Sequence, residues 1–198
     1  MSWTKRIFDI ALSCMGLCLC VPVLLAIAAA IQLDDGGPVL FRQERVGRGG
    51  TNFFILKFRT MRADAECVGG QLTVGDDPRT TRLGRWLRKY KLDELPQLVN
   101  VLRGEMSLVG PRPEVPRYVA LYTPEQREVL RLVPGITDPA SIVFREEAEL
   151  LSPSNDPERM YVERIMPEKL ALNREYASEA NVVSDLLVIL RTIGVVWW

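Results

Sequence analysis

Histidine is absent from this chain of 198 residues. That excludes Ser-His-Asp and Cys-His nucleophile activation and any zinc site that needs imidazole. Catalysis by this chain therefore rests on carboxylates, cations, backbone amides or a metal held by oxygen. Cysteine is scarce: Cys14, Cys18 and Cys20 share one apolar stretch, and Cys67 stands apart. The spacing fits neither a metal knuckle nor a disulfide framework. The thiols read as small buried or lipid-facing groups, with acylation of Cys14 or Cys18 as the alternative. Internal repeats and low-complexity linkers are also missing. Net charge is zero, but residues 1–112 hold 16 Lys and Arg against 11 Asp and Glu, and residues 113–198 hold 9 against 14. A basic half of this kind calls for an anionic partner.

What the chain has in abundance is apolar sequence at its start. Residues 7–33 are polar only at Asp9, Ser13 and Gln32. As a helix they reach about 40 Å, beyond the roughly 30 Å hydrocarbon core of a bilayer. The stretch is too long for a secretory signal, and no small-residue cleavage site follows it. Lys5 and Arg6 precede it, and Arg42, Arg45 and Arg48 follow, so both flanks prefer the cytoplasm. Pro22, near the middle, removes a backbone hydrogen bond and bends a helix. A re-entrant hairpin satisfies both facts, and a single tilted span is the alternative. Asp9, in the first turn, suits the positive end of the helix dipole and is expected at the headgroup level.

The remainder reads as a small α-rich body with one β-hairpin. VLFRQERVG and TNFFILKFRTM form two strands about Gly47–Gly50. Residues 80–91 form an amphipathic helix, with Leu83, Trp86, Leu87 and Tyr90 on one face and Arg82, Arg85 and Lys89 on another. The two aromatics are expected in the core, which weighs against nucleic-acid binding. A second helix is expected over 92–103 with Pro96 in its first turns. Thr123, Pro124 and Gln126 mark a helix start, and the helix is expected to run to Leu132. Residues 157–176 and 181–195 also read as helical. The C-terminal Val195-Val196-Trp197-Trp198 forms an interfacial anchor or packs on the core. The fold class is α+β, mostly helical, with residues 1–35 embedded in the membrane and 36–198 forming a catalytic domain.

RTTRLGRWLRKYK, residues 79–91, carries six cations and no acid, and Asp93 and Glu94 follow it at once. Helical neighbours point about 100° apart, so the two acids serve different tasks at one site. Unpaired cations call for an anionic ligand, and a nucleotide diphosphate fits. Phosphoryl transfer needs charge neutralisation and positioning more than proton transfer. A carboxylate can attack phosphorus directly, and Mg²⁺ accepts one or two carboxylates plus phosphate oxygens. On charge alone, a solvated helix with the acids as salt-bridge partners is the favoured reading. Arg112, set between Pro111 and Pro113 after Gly110, shifts that balance, because a rigid turn holds a guanidinium ready for phosphate. LVPGITDPASIVFREE adds another Pro-Gly turn with Arg145 beyond it.

Taken together, KRIFDI, KFRTM, DDPRTTRLGRWLRKYKLDELPQLVNVLRGEMSLVGPRP and VPGIT resemble the bacterial sugar transferases, specifically the small monotopic polyprenol-phosphate phosphoglycosyl transferases. The likeness runs from Lys5 to about Arg145 and continues more loosely through DLLVILRTI. It implies a ping-pong reaction on the cytoplasmic face of the bacterial inner membrane, as the first membrane step of a glycoconjugate pathway. A UDP-sugar gives its phosphosugar to an aspartate, UMP leaves, and undecaprenyl phosphate takes the phosphosugar. By position, Asp93 is the nucleophile and Glu94 the Mg²⁺ ligand. Lys57, Arg88, Arg112, Pro113 and Arg145 match substrate- or phosphate-binding positions, with Arg59 and Arg79 as weaker matches. Pro22 matches the break in the family's re-entrant helix. Val21 stands where the family commonly has serine, and DPASIVFREE departs from its glycine-tryptophan continuation. Direct transfer in a ternary complex and a non-catalytic membrane module are the alternatives. No nucleic-acid partner is expected, and a homodimer is compatible.

Overall fold

A computed structural model describes residues 2–62, 64–65 and 72–197; Cys67 and Trp198 lie outside the described residues, as do the side chains of 195–197. The apolar run forms one helix, α1 (Trp3–Asp35), about 50 Å long at 1.5 Å per residue. Ser2 caps its first turn, and Gly36 ends it in the left-handed region at φ 68°. The helix assignment continues through Pro22. By length and composition α1 suffices to cross a membrane.

Both ends of α1 lie against the body that follows. Ile27 and Ile31 pack on Phe58 and Leu87. Near the other end, Arg6 donates to Val101 O and Leu102 O at 2.6 and 2.9 Å, and Lys5 pairs with Asp185. Asp9, expected in the first turn, lies in the second, fully buried, and accepts from Ser107 Oγ at 2.8 Å and Leu108 N at 3.2 Å. A buried carboxylate needs such donors, and they come from a strand about a hundred residues away.

The hairpin pairs β1 (Leu40–Val46) with β2 (Asn52–Phe58), antiparallel, from Leu40↔Phe58 to Val46↔Asn52. Next come α2 (Arg82–Lys89) and α3 (Gln97–Arg103). A second sheet, not anticipated from sequence, joins β3 (Ser107–Val109) and β4 (Gly135–Thr137) in parallel. VPGIT thus runs into a strand, and residues 139–143 form a short helix. Side chains at Gly110 and Gly135 would collide with the facing backbone, so both positions need glycine for these strands to pair. Thr123 and Gln126 form the anticipated reciprocal cap. They start a 3₁₀ helix, 126–131, rather than an α-helix, and Leu132 is already extended. The main core gathers Tyr118, Tyr122, Val129, Tyr161, Ile165 and Met166. Beyond a π-helical turn at 161–165 lie α4 (Met166–Glu179) and α5 (Val182–Trp197).

Helix α2 sits close to β2 because Gly84 has no side chain: a Cβ there would meet the Thr60 carbonyl. This contact rotates the helix. Leu87 is fully buried, but Trp86 is 50% exposed, which corrects its placement in the core. Arg82, Arg85, Trp86 and Lys89 share the outward face. Gly84→Ala is expected to cost about 3 kcal/mol through backbone overpacking, lowering Tm by roughly 6–12 °C. Thermal melting checks it.

Candidate active site

Three elements converge on the carboxylate pair. Helix α2 begins at the Thr81 cap, whose Oγ1 accepts from Gly84 N at 2.8 Å. It ends at Lys89, and Lys91 just beyond is a non-glycine residue in the left-handed region at φ 54°. That reversal turns Leu92 toward the apolar contact with α1 and drives Asp93 and Glu94 inward on a 3₁₀ turn. The helix expected over 92–103 is therefore this turn, then Leu95 and Pro96, then α3. Asn100 on α3 fixes the assembly to β2: its Oδ1 accepts from Leu56 N at 3.0 Å, and its Nδ2 donates to Phe54 O at 2.8 Å. A side chain thus completes the strand's edge.

The two acids are 6% and 7% exposed, yet their surroundings differ. Glu94 is clamped. Arg112 Nη2 donates to its Oε1 at 2.5 Å and Nη1 to its Oε2 at 3.2 Å, while Lys57 Nζ reaches Oε1 at 3.2 Å. Burial pushes the Glu94 carboxyl up, but Arg112 and Lys57 outweigh it and hold it well below the usual range. Asp93 Oδ1 has no hydrogen-bond partner. Burial, then the neighbouring Glu94 charge, raise the Asp93 carboxyl, with Lys57, Lys91 and Arg88 opposing. One carboxylate is held by two cations, and the other keeps an unpaired oxygen.

Arg112 is held from behind. Its backbone N donates to Asp138 Oδ2 at 2.8 Å, and Asp138 also takes Ser141 N at 2.5 Å and Asn173 Nδ2 at 3.0 Å. Pro113 O accepts from Arg45 Nη1 at 3.0 Å. Arg88 donates to Thr60 Oγ1 at 2.9 Å on the side of Asp93. Lys57, Arg88, Lys91 and Arg112 surround the two carboxylates, with Asp77 and Asp138 also acting on Arg88 and Arg112.

The other expected residues lie elsewhere. Arg59 donates to Pro38 O at 2.7 Å and braces the turn after α1. Arg79 pairs with Asp77 at 2.6 Å within the loop before α2. Arg145 is exposed beyond the short helix 139–143, and Pro22 lies inside α1. Sequence reading passed over Asn100 and Asp138. For Asp138 a signal existed, since Asp before Pro is a helix-cap pattern. For Asn100 none did, because its partners are on another element.

Burial lowers the Lys57 ammonium to about 8, with Glu94 opposing. Between that value and 10.5 the unfolded chain keeps a proton that folded Lys57 has lost. This group's penalty on folding therefore fades as pH rises through that window, while its attraction for an anion disappears. The donor KM of the wild type is expected to climb from pH 7 to 9, and that of Lys57→Arg to stay level. Initial rates across this range check it.

The sequence has known relatives. A family model described as bacterial sugar transferase matches residues 1–198. A UDP-glucose:undecaprenyl-phosphate glucose-1-phosphate transferase of Caulobacter vibrioides is 40% identical over 96% of this chain and 68% of its own length. An undecaprenyl-phosphate glucose phosphotransferase of Komagataeibacter xylinus is 39% identical over 96% of this chain and 35% of its own. A UDP-N-acetylgalactosamine-undecaprenyl-phosphate N-acetylgalactosaminephosphotransferase of Aeromonas hydrophila is 36% identical over 97% and 43%. The chain thus spans well under half of the last two.

Proposed function

The chain belongs to the bacterial sugar transferase family, and from that premise we propose that it moves a phosphosugar from a UDP-sugar to undecaprenyl phosphate. The observation that carries this reading is the asymmetry of the pair: Glu94 clamped by Arg112 and Lys57, Asp93 sealed in and unpaired. In the first step an Asp93 oxygen bonds to the phosphorus bearing the sugar. The phosphorus–oxygen bond to the nucleotide breaks, and UMP leaves with the electron pair. In the second step an oxygen of the polyprenyl phosphate attacks the same phosphorus, and the acyl phosphate bond breaks to restore the carboxylate. Neither step transfers a proton, so the missing histidine is no obstacle. Lys57, Arg88 and Arg112 bind the diphosphate oxygens and stabilise charge as it moves to the leaving phosphate. The donors named for two relatives, UDP-glucose and UDP-N-acetylgalactosamine, support a UDP-sugar here.

Among the described residues no three His, Cys, Asp or Glu side chains gather as a metal cage. Both Glu94 oxygens already accept from Arg112 and Lys57, so Mg²⁺ would be held by a remaining Glu94 lone pair together with oxygens of the substrate. When bound, it supplies charge neutralisation at the diphosphate.

Residues 1–35 form the membrane element and 36–198 the catalytic body, set on the cytoplasmic face of the inner membrane. A re-entrant path bent at Pro22 is part of the proposal, with the exposed Met15, Leu19, Val21 and Leu25 facing lipid. Val183, Leu187 and Leu190 of α5 expose a further apolar face.

Intact-mass measurement of nanodisc-held protein with Mg²⁺ and a panel of UDP-sugars tests the reading. A phosphosugar adduct with UMP release supports it and names the donor. UMP release only with polyprenyl phosphate, and no adduct, replaces it with ternary-complex transfer. Neither product with any donor overturns it in favour of a non-catalytic module.

A further inference from the structure

Asp93 is not the sole unsatisfied group of this turn. Gln97, four residues on, is 1% exposed, and its Nε2 donates to nothing, just as Asp93 Oδ1 accepts from nothing. Both atoms are closed to solvent. Leu95 and Pro96 keep right-handed helical dihedrals between the 3₁₀ turn and α3, so residues four apart project to one side. The neighbouring polar groups are committed. Glu94 is held by Arg112 and Lys57, and Asn100 binds Leu56, Phe54 and Glu105. An orphan donor and an orphan acceptor, one turn apart and both closed to solvent, are complementary to each other.

We infer that Gln97 is the positioning residue of the nucleophile: its Nε2–H donates to Asp93 Oδ1 when the donor substrate is bound, turning Oδ2 toward the phosphorus. The amide keeps its proton throughout. It aims the carboxylate and takes no part in bond making, which explains why an amide occupies a buried position that leucine or methionine would fill without a polar penalty. The assignment rests on Asp93 being the nucleophile of the proposed reaction.

The test uses the full chain in nanodiscs. Gln97→Met keeps the length and removes the N–H. Its kcat for UMP release is expected to fall by about ten-fold or more, as small misplacements of a reacting group do, with the donor KM within about two-fold of wild type. An unchanged kcat, or a raised KM at constant kcat, overturns the assignment, because the side chain then fills space or binds substrate. A second readout needs no turnover. In ¹⁵N-glutamine-labelled protein with UDP-sugar present, the Gln97 side-chain amide signal should move in Asp93→Asn. A signal that stays in place overturns the pairing even if Gln97→Met does not fold. Absence of UMP from the wild type would instead count against the proposed reaction, with the amide signal still judging the pairing.

Discussion

Asp93→Asn is expected to abolish the phosphosugar adduct and to lower UMP release by at least about 10³-fold, the scale of losing a covalent nucleophile. The same variant should melt no lower than the wild type. Asparagine matches aspartate in size but carries no charge to attack phosphorus. In the fold, Asp93 Oδ1 holds no partner that the change could break. The substitution also removes a buried carboxyl beside the Glu94 charge, which burial and Glu94 both disfavour in its ionised form. Asparagine keeps the unpaired oxygen, so any rise in Tm comes from losing the buried charge beside Glu94. Intact mass and thermal melting read the two effects separately. An adduct that survives moves the nucleophile elsewhere, and a collapse in Tm would make Asp93 a structural residue.

Its neighbour should behave in the opposite sense. Glu94→Ala leaves Lys57 and Arg112 facing each other in a buried site without the carboxylate they share. Breaking a buried ion pair by removing one partner costs about 3–5 kcal/mol, or roughly 6–20 °C in Tm. Glu94→Gln, which keeps an oxygen acceptor, should lose less stability, and both variants should lose donor turnover. Because the folded Glu94 carboxyl lies well below its ordinary range, its contribution is present above the unfolded value near 4.5. It is lost only as pH falls through the folded value, so the contrast should hold across pH 5–8. Equal melting of Glu94→Ala and Asp93→Asn would contradict the division of roles between these adjacent acids.

Much of this architecture is local and therefore legible in the chain. Alternating residues in 40–58 announce the hairpin, and the reciprocal Thr123–Gln126 cap forms as read. The basic run before the acids announces an anion site. The errors share one cause, a contact between elements distant in sequence. Trp86 falls in an apolar stripe by spacing, but Gly84 against Thr60 sets which face of α2 turns inward. Nothing along the chain announces the partners of Asp9, which are Ser107 Oγ and Leu108 N. The cations of 79–91 look alike in sequence, yet Arg79 serves a loop, Arg88 the site, and Arg82, Arg85 and Lys89 the surface.

By itself the sequence determined the apolar N-terminal helix, the segregation of charge and the presence of two adjacent acids beside a basic run, since these depend on neighbours along the chain. Which acid is clamped and which left unpaired was decided only by tertiary structure. Lys57 arrives from 37 residues before Glu94 and Arg112 from 18 after it, and a carboxylate's charge state in a buried site depends on the cations folding brings to it, whatever their distance in sequence.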